Sequence, residues 1–177
     1  MPKISSSFRP FAEQWLKSLE SVIDPKQAIG TARADCTLVG DQSSEVRYLD
    51  HRLVSDEPKA VGGSGLGPSP LDYFMASIGF CENVTFARYA TLNELNLDSL
   101  QTSVKGHWNR TGQGESSGVE PAFIDFVVET RVASSDSVEK IKKVAMTAHR
   151  RCPMHSTITK VGEVVDKLFV NGVEVPL

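Results

Sequence analysis

No stretch of this 177-residue chain is apolar for long enough to span a bilayer. Its first ten residues, polar with Lys3 and Arg9, lead into no hydrophobic segment of the kind a secretory leader needs. These absences predict a soluble cytoplasmic protein. Charge of one sign is also scarce: the formal net charge is −3, with no block of like charges, so neither nucleic acid nor a membrane surface is expected as a partner. Cysteine is limited to Cys36, Cys81 and Cys152. The count is odd and no two are closely spaced, which excludes a CxxC motif and a disulfide framework. In a reducing compartment such thiols are buried, catalytic or metal-bound rather than bridged for structure. A chain of this length buries roughly 70% of its unfolded surface, so neither a staple nor a metal is needed to hold the core.

Hydrophobic spacing then supplies the elements. Phe11, Trp15, Leu16, Leu19 and Val22 recur every three or four residues and predict an amphipathic helix over 8–22, ended before Asp24-Pro25. Residues 28–39 and 45–55 read as two strands of a hairpin turning at 40–44. The tract from Gly62 to Pro70, with four glycines and two prolines, can continue neither element. It lacks the Gly-Lys-Ser/Thr ending of a phosphate-binding loop, and Pro68 stands where a dinucleotide fingerprint needs its third glycine. Ser69 as N-cap, Pro70 at the first helical position and Asp72 in the first turn open a helix from Leu71 to about Leu92. Leu71, Phe74, Met75, Ile78, Cys81, Thr85 and Phe86 follow helical spacing, so Cys81 is expected on the inward face and largely buried.

Residues 97–108 and 122–132 fit an antiparallel pair around a Gly/Ser-rich connection. Ser135 or Asp136 is expected to cap a further helix whose stripe is Val138, Ile141, Ala145 and Ala148. That helix must break at Cys152-Pro153, because proline removes a backbone donor and crowds the preceding turn. Residues 161–170 alternate as a strand, and Asn171-Gly172 predicts a tight turn into 173–175. Helices and strands without regular β-α alternation make the class α+β.

The chemistry rests on thiols. An unperturbed cysteine is only about 3% thiolate at pH 7, so a reactive one needs help. Cys152 would find it in the free N–H groups of a restarting helix and in His149, Arg150 and Arg151. Cys81, in mid-helix, must borrow a cation, with Arg33, Arg47 and Arg52 as candidates and Asp72 or Glu82 as the carboxylate that orients it. A zinc site is the competing pattern: His149-x₂-Cys152-x₂-His155 offers three ligands and Cys81 could complete a tetrahedron, but Pro153 breaks the register that would align them. No serine occupies a Gly-x-Ser-x-Gly elbow. Cys36 reads as a packed residue, and His51 and His107 as ordinary strand residues.

Gly-Gly-Ser-Gly-Leu-Gly-Pro-Ser-Pro-Leu-Asp at 62–72, Ala-Ser-Ile-Gly-Phe-Cys at 76–81 and Arg-Cys-Pro-Met-His-Ser-Thr-Ile at 151–158 together resemble the OsmC/Ohr family. The likeness covers about residues 28–170, which divides the chain into an N-terminal helical extension, 1–27, and an OsmC-like domain, 28–177. It implies antiparallel sheets wrapped around two central helices in an intertwined homodimer, with active sites at the subunit interface. It further implies a thiol-dependent peroxidase for oxidative stress defence, acting on organic hydroperoxides or hydrogen peroxide without cofactor or metal. In that reading Cys81 is oxidised to a sulfenic acid, Cys152 condenses with it to a disulfide, and a dithiol restores both. Family peroxidases place Glu directly after the helix-opening proline, where this chain has Leu71. Pro70-Leu71-Asp72 resembles a variant branch, in which Asp72 would take the place of that Glu; Arg47, early in the second predicted strand, is the first candidate for the supporting arginine. A dimer that binds a small hydrophobic ligand without turnover is the alternative the substitution suggests.

Overall fold

A computed structural model describes residues 4–177, with the side chains of Ser6 and Gln27 outside that description. Residues 1–3 of the expected N-terminal extension therefore lie outside the described residues. The described residues form two compact units, one of those up to Ser18 together with 77–177, the other of residues 19–76.

The second unit holds a three-stranded antiparallel meander: β1 (Cys36–Leu38), β2 (Ser44–Tyr48) and β3 (His51–Ser55). The turn at 40–44 is present, with Val39 N–H donating to the Ser43 carbonyl at 2.8 Å. The expected strand over 45–55 is instead two strands, because the chain reverses at Leu49-Asp50 with Leu49 at φ 53°. No glycine or asparagine marks that reversal, which is why residue type did not reveal it. The expected strand over 28–39 shrinks to three residues, and Cys36 on it is exposed rather than packed.

The glycine-rich tract closes on itself. Asp56, buried, accepts hydrogen bonds from the N–H groups of Ser64 and Leu66, both at 3.0 Å. A Cβ at Gly63 would stand 1.8 Å from the Glu57 carbonyl oxygen and one at Gly67 2.1 Å from that of Val54. These glycines thus serve close backbone approach.

Helix α1 (Arg9–Glu20), in the first unit as far as Ser18, buries Ala12 and stacks Trp15 edge-on to Tyr89 beneath the guanidinium of Arg88. Phe11 and Leu19 of the expected apolar stripe are exposed. Helix α2 (Pro70–Leu92) begins in one unit and continues in the other. Four strands form one sheet in the order β4 (Leu97–Trp108), β5 (Phe123–Ser134), β6 (Glu163–Val170), β7 (Val173–Val175). Pairing is antiparallel at β4–β5 and β6–β7, as the sequence suggests, but parallel at β5–β6. A parallel neighbour needs a long crossover, and here that crossover is α3 (Val138–Arg151) with α4 (Pro153–Ile158).

Phe126, Val128, Thr130 and Val132 point inward from β5 at strand period, and Ile141, Val144, Ala145 and Ala148 line one face of α3 at helical period. Val132 and the α3 stripe close the core with Phe86, Ala90, Leu168 and Val170. Ser137, not Ser135 or Asp136, caps α3 by accepting from Lys140 N–H. Asp136 instead accepts from Asn96 N–H and Lys140 Nζ. Asn171 and Gly172 take left-handed φ values of 49° and 87°, as the turn requires, and the Asn171 amide clamps both backbone groups of Ser134.

Candidate active site

Pro153 ends α3 and starts α4, leaving Cys152 as N-cap with extended backbone, φ −77° and ψ 117°. Its sulfur accepts from the His155 N–H at 3.4 Å. On α2 the buried stripe runs Ile78, Glu82, Phe86 and Ala90. Cys81 stands one residue round from that stripe and is half-buried rather than largely buried. The two cysteines lie 71 positions apart in sequence, yet the fold brings them near enough for Cys81 to help raise the pKa of Cys152.

Cys152 does not become the activated thiol that its helix start and basic neighbours suggest. Burial pushes it up to about 12, with the Glu82 charge and Cys81 adding to the rise and only the His155 N–H opposing it. Arg150 and Arg151 are exposed. Cys152 is therefore a neutral S–H at pH 7.

Glu82, 2% exposed, has no arginine partner among the described residues. Its Oε1 lies 2.9 Å from His155 Nδ1, while His155 Nε2 lies 3.4 Å from Asp166 Oδ2 on β6. His149 on α3 places Nδ1 3.3 Å from Asp166 Oδ1, and the two imidazole centroids are 4.8 Å apart. Burial pulls His155 down, but Asp166 and Glu82 on its two sides outweigh it and hold the imidazole at about 9. Burial likewise pushes Asp166 up, and His149 and His155 reverse it to about 2. His149, His155 and Asp166 line a cleft of about 440 Å³ together with Met146, Arg150 and Ser156.

The remaining expected residues lie in the second unit. Asp72 accepts from Ser69 N–H at 3.0 Å and from Ser69 Oγ at 2.7 Å, while its own N–H donates to Ser69 Oγ at 3.2 Å. This reciprocal pair caps α2, a local use of the carboxylate that the sequence also allows. Arg47 is exposed on β2 opposite Arg52. Arg33 and Arg52 are paired with Asp35 and Glu45, and among the described residues Arg47 has no carboxylate partner.

The family model for OsmC-like protein matches residues 62–165, more than half of the chain. The chain belongs to the OsmC family. Solved structures agree on the fold. An OsmC-like protein from Mycoplasma pneumoniae superposes with a TM-score of 0.69 at 18% identity, covering 80% of this chain and 97% of that one. An organic hydroperoxide resistance protein OsmC from Legionella pneumophila gives 0.61 at 16% identity, covering 80% and 100%. An organic hydroperoxide resistance protein from Elizabethkingia anophelis gives 0.61 at 16%, covering 80% and 99%. No match was found among curated proteins.

Within this OsmC-like chain the Glu82–His155–Asp166–His149 chain of contacts is the feature sequence reasoning missed. Its signal was present: Glu82 is four residues from both Ile78 and Phe86, so the periodicity that buries those two buries a carboxylate with them. No helix is long and apolar enough to cross a membrane among the described residues.

Proposed function

We propose that this protein is a thiol-dependent hydroperoxide reductase in which Cys81 is the peroxidatic and Cys152 the resolving thiol. The observation that carries this is the nearness of a half-buried Cys81, which a substrate can approach, to a fully buried Cys152, which keeps its proton. The Cys81 thiolate attacks the outer peroxide oxygen; the O–O bond breaks, and the alkoxide takes a proton from water and leaves as the alcohol. Cys81, oxidised by two electrons, is then a sulfenic acid. The Cys152 sulfur attacks it, hydroxide departs with the Cys152 proton as water, and an external dithiol reduces the disulfide through a mixed disulfide. Hydroperoxide resistance named for the Legionella and Elizabethkingia proteins supports the substrate class.

The working form is a cytoplasmic homodimer without a nucleic-acid or membrane partner. On helix α2, Phe80 and Val84, one turn apart, are 67% and 51% exposed, a ridge suited to cover by a second copy. Arg47 is the supporting cation of the site in this reading, and Asp72 fixes the start of the helix that carries Cys81. The capping role of Asp72 favours a second reading, a dimer that holds a small hydrophobic ligand without turnover.

One equivalent of cumene hydroperoxide added to reduced protein, followed by non-reducing digestion, separates the two. A peptide linking Cys81 to Cys152 is expected. Absence of both that peptide and a sulfenic acid at Cys81 rejects the enzyme.

A further inference from the structure

Four ionisable side chains from three elements and one helix restart meet where the proposed peroxide chemistry uses none of them. Glu82 and both histidines are at least 95% buried, and Asp166 touches both imidazoles. An ordinary hydrogen-bond network would satisfy these atoms, but it does not. Glu82 Oε1 and His155 Nδ1 approach to 2.9 Å without the alignment a hydrogen bond needs, and Nε2 of His149 has no partner among the described residues. Ligand atoms of Glu82, His149 and His155 all lie within 4.8 Å of one another. Tetrahedral ligands held at about 2.0–2.1 Å from a zinc ion are about 3.3 Å apart, so small side-chain rotations close the set.

We propose that Glu82, His149 and His155 form a binding site for a divalent transition metal of the zinc class, with Asp166 as the shared outer partner of both imidazoles. His155 binds through Nδ1, His149 through Nε2 and Glu82 through Oε1. The other nitrogen of each imidazole then faces a different oxygen of Asp166, which sets both tautomers and raises the basicity of both ligands. Two nitrogens and one oxygen select zinc over magnesium or calcium. Three protein ligands leave a position open, and the two histidines face a cleft of about 440 Å³ from which a water or a small anion can reach it. The set differs from His149, Cys152, His155 and Cys81, the pattern visible in sequence: Glu82 takes the place of sulfur.

The test is isothermal titration of chelator-treated, reduced full-length protein with Zn²⁺ alone. One ion per chain is expected, with binding retained in the Cys81→Ser/Cys152→Ser double variant. His149→Gln and Glu82→Gln should each weaken it at least 100-fold, and Asp166→Asn 10- to 100-fold. Should a histidine variant not fold, Co²⁺ added to the wild-type protein gives the same decision. Visible bands without a sulfur charge-transfer band support nitrogen and oxygen ligation, and a sulfur band overturns it. No stoichiometric Zn²⁺ binding, or binding lost in the cysteine double variant and kept in His149→Gln, also overturns it. Peroxide reactivity is scored separately on chelated protein, so either proposal can fail alone.

Discussion

Oxidation of the Cys81–Cys152 pair should stabilise the fold by an amount the chain itself sets. The disulfide would close a loop of about 70 residues that holds the rest of α2, all of β4 and β5, and α3. Loop closure of that length removes roughly 15 cal/mol/K from the unfolded ensemble, about 4 kcal/mol at 25 °C. Native strain subtracts from this to the extent that the two side chains must shift to reach the length of an S–S bond, and the nearness of Cys81 to Cys152 keeps that shift small. With a urea dependence of about 2 kcal/mol/M, the unfolding midpoint of peroxide-treated protein should lie about 2 M above that of the reduced protein. Urea titration followed by circular dichroism, at one protein concentration for both forms, measures it. Cys81→Ser, treated identically, should show no shift. If the linked peptide forms quantitatively and the midpoint moves by less than 0.5 M, on the order of a quarter of the expected shift, native strain cancels the loop-closure gain and the two sulfurs are not poised to bond.

Cys81→Ser should abolish peroxide consumption, whereas Cys152→Ser should complete one turnover and leave a sulfenic acid that dimedone traps. Unchanged steady-state turnover in either variant contradicts the two-thiol scheme. Phe86→Ala, at a position 1% exposed in the main core, should cost about 3–5 kcal/mol and lower the melting temperature by roughly 10 °C or more; a shift of about 2 °C or less would place Phe86 outside the cooperative core. Asp56 is held below the usual carboxylate range chiefly by the Leu66 N–H, with the Ser64 N–H helping against the opposing effect of burial. Its contribution is therefore present above about pH 4, the unfolded value, and is lost as pH falls through the lower folded value. The urea midpoint of wild type should drop along that limb and that of Asp56→Asn should drop less; parallel curves would show that the glycine-rich tract does not depend on this carboxylate.

Most of the local structure follows from spacing and residue type. The start of α2 is written in Ser69-Pro70-Leu71-Asp72, the break at Cys152-Pro153 in the missing proline N–H, and the last turn in Asn171-Gly172, because each depends on neighbours along the chain. The family was legible for the same reason, in three short motifs. The reversal at Leu49-Asp50 was not, since it uses a left-handed residue with no glycine or asparagine to mark it.

What only tertiary structure decided is which charges face which thiols. Periodicity put Cys81 near the inward face of α2, but packing set the buried stripe through Glu82, one residue round. That placement reverses the expectation for Cys152: a helix start and basic neighbours in sequence suggest a thiolate, while burial and the Glu82 charge keep the proton on. The meeting of Glu82, His149, His155 and Asp166 likewise depends on the parallel β5–β6 pairing, which brings β6 beside the crossover helices. Electrostatic effects act over a few ångströms of three-dimensional distance, and no one-dimensional pattern encodes that distance for residues 70 or more positions apart.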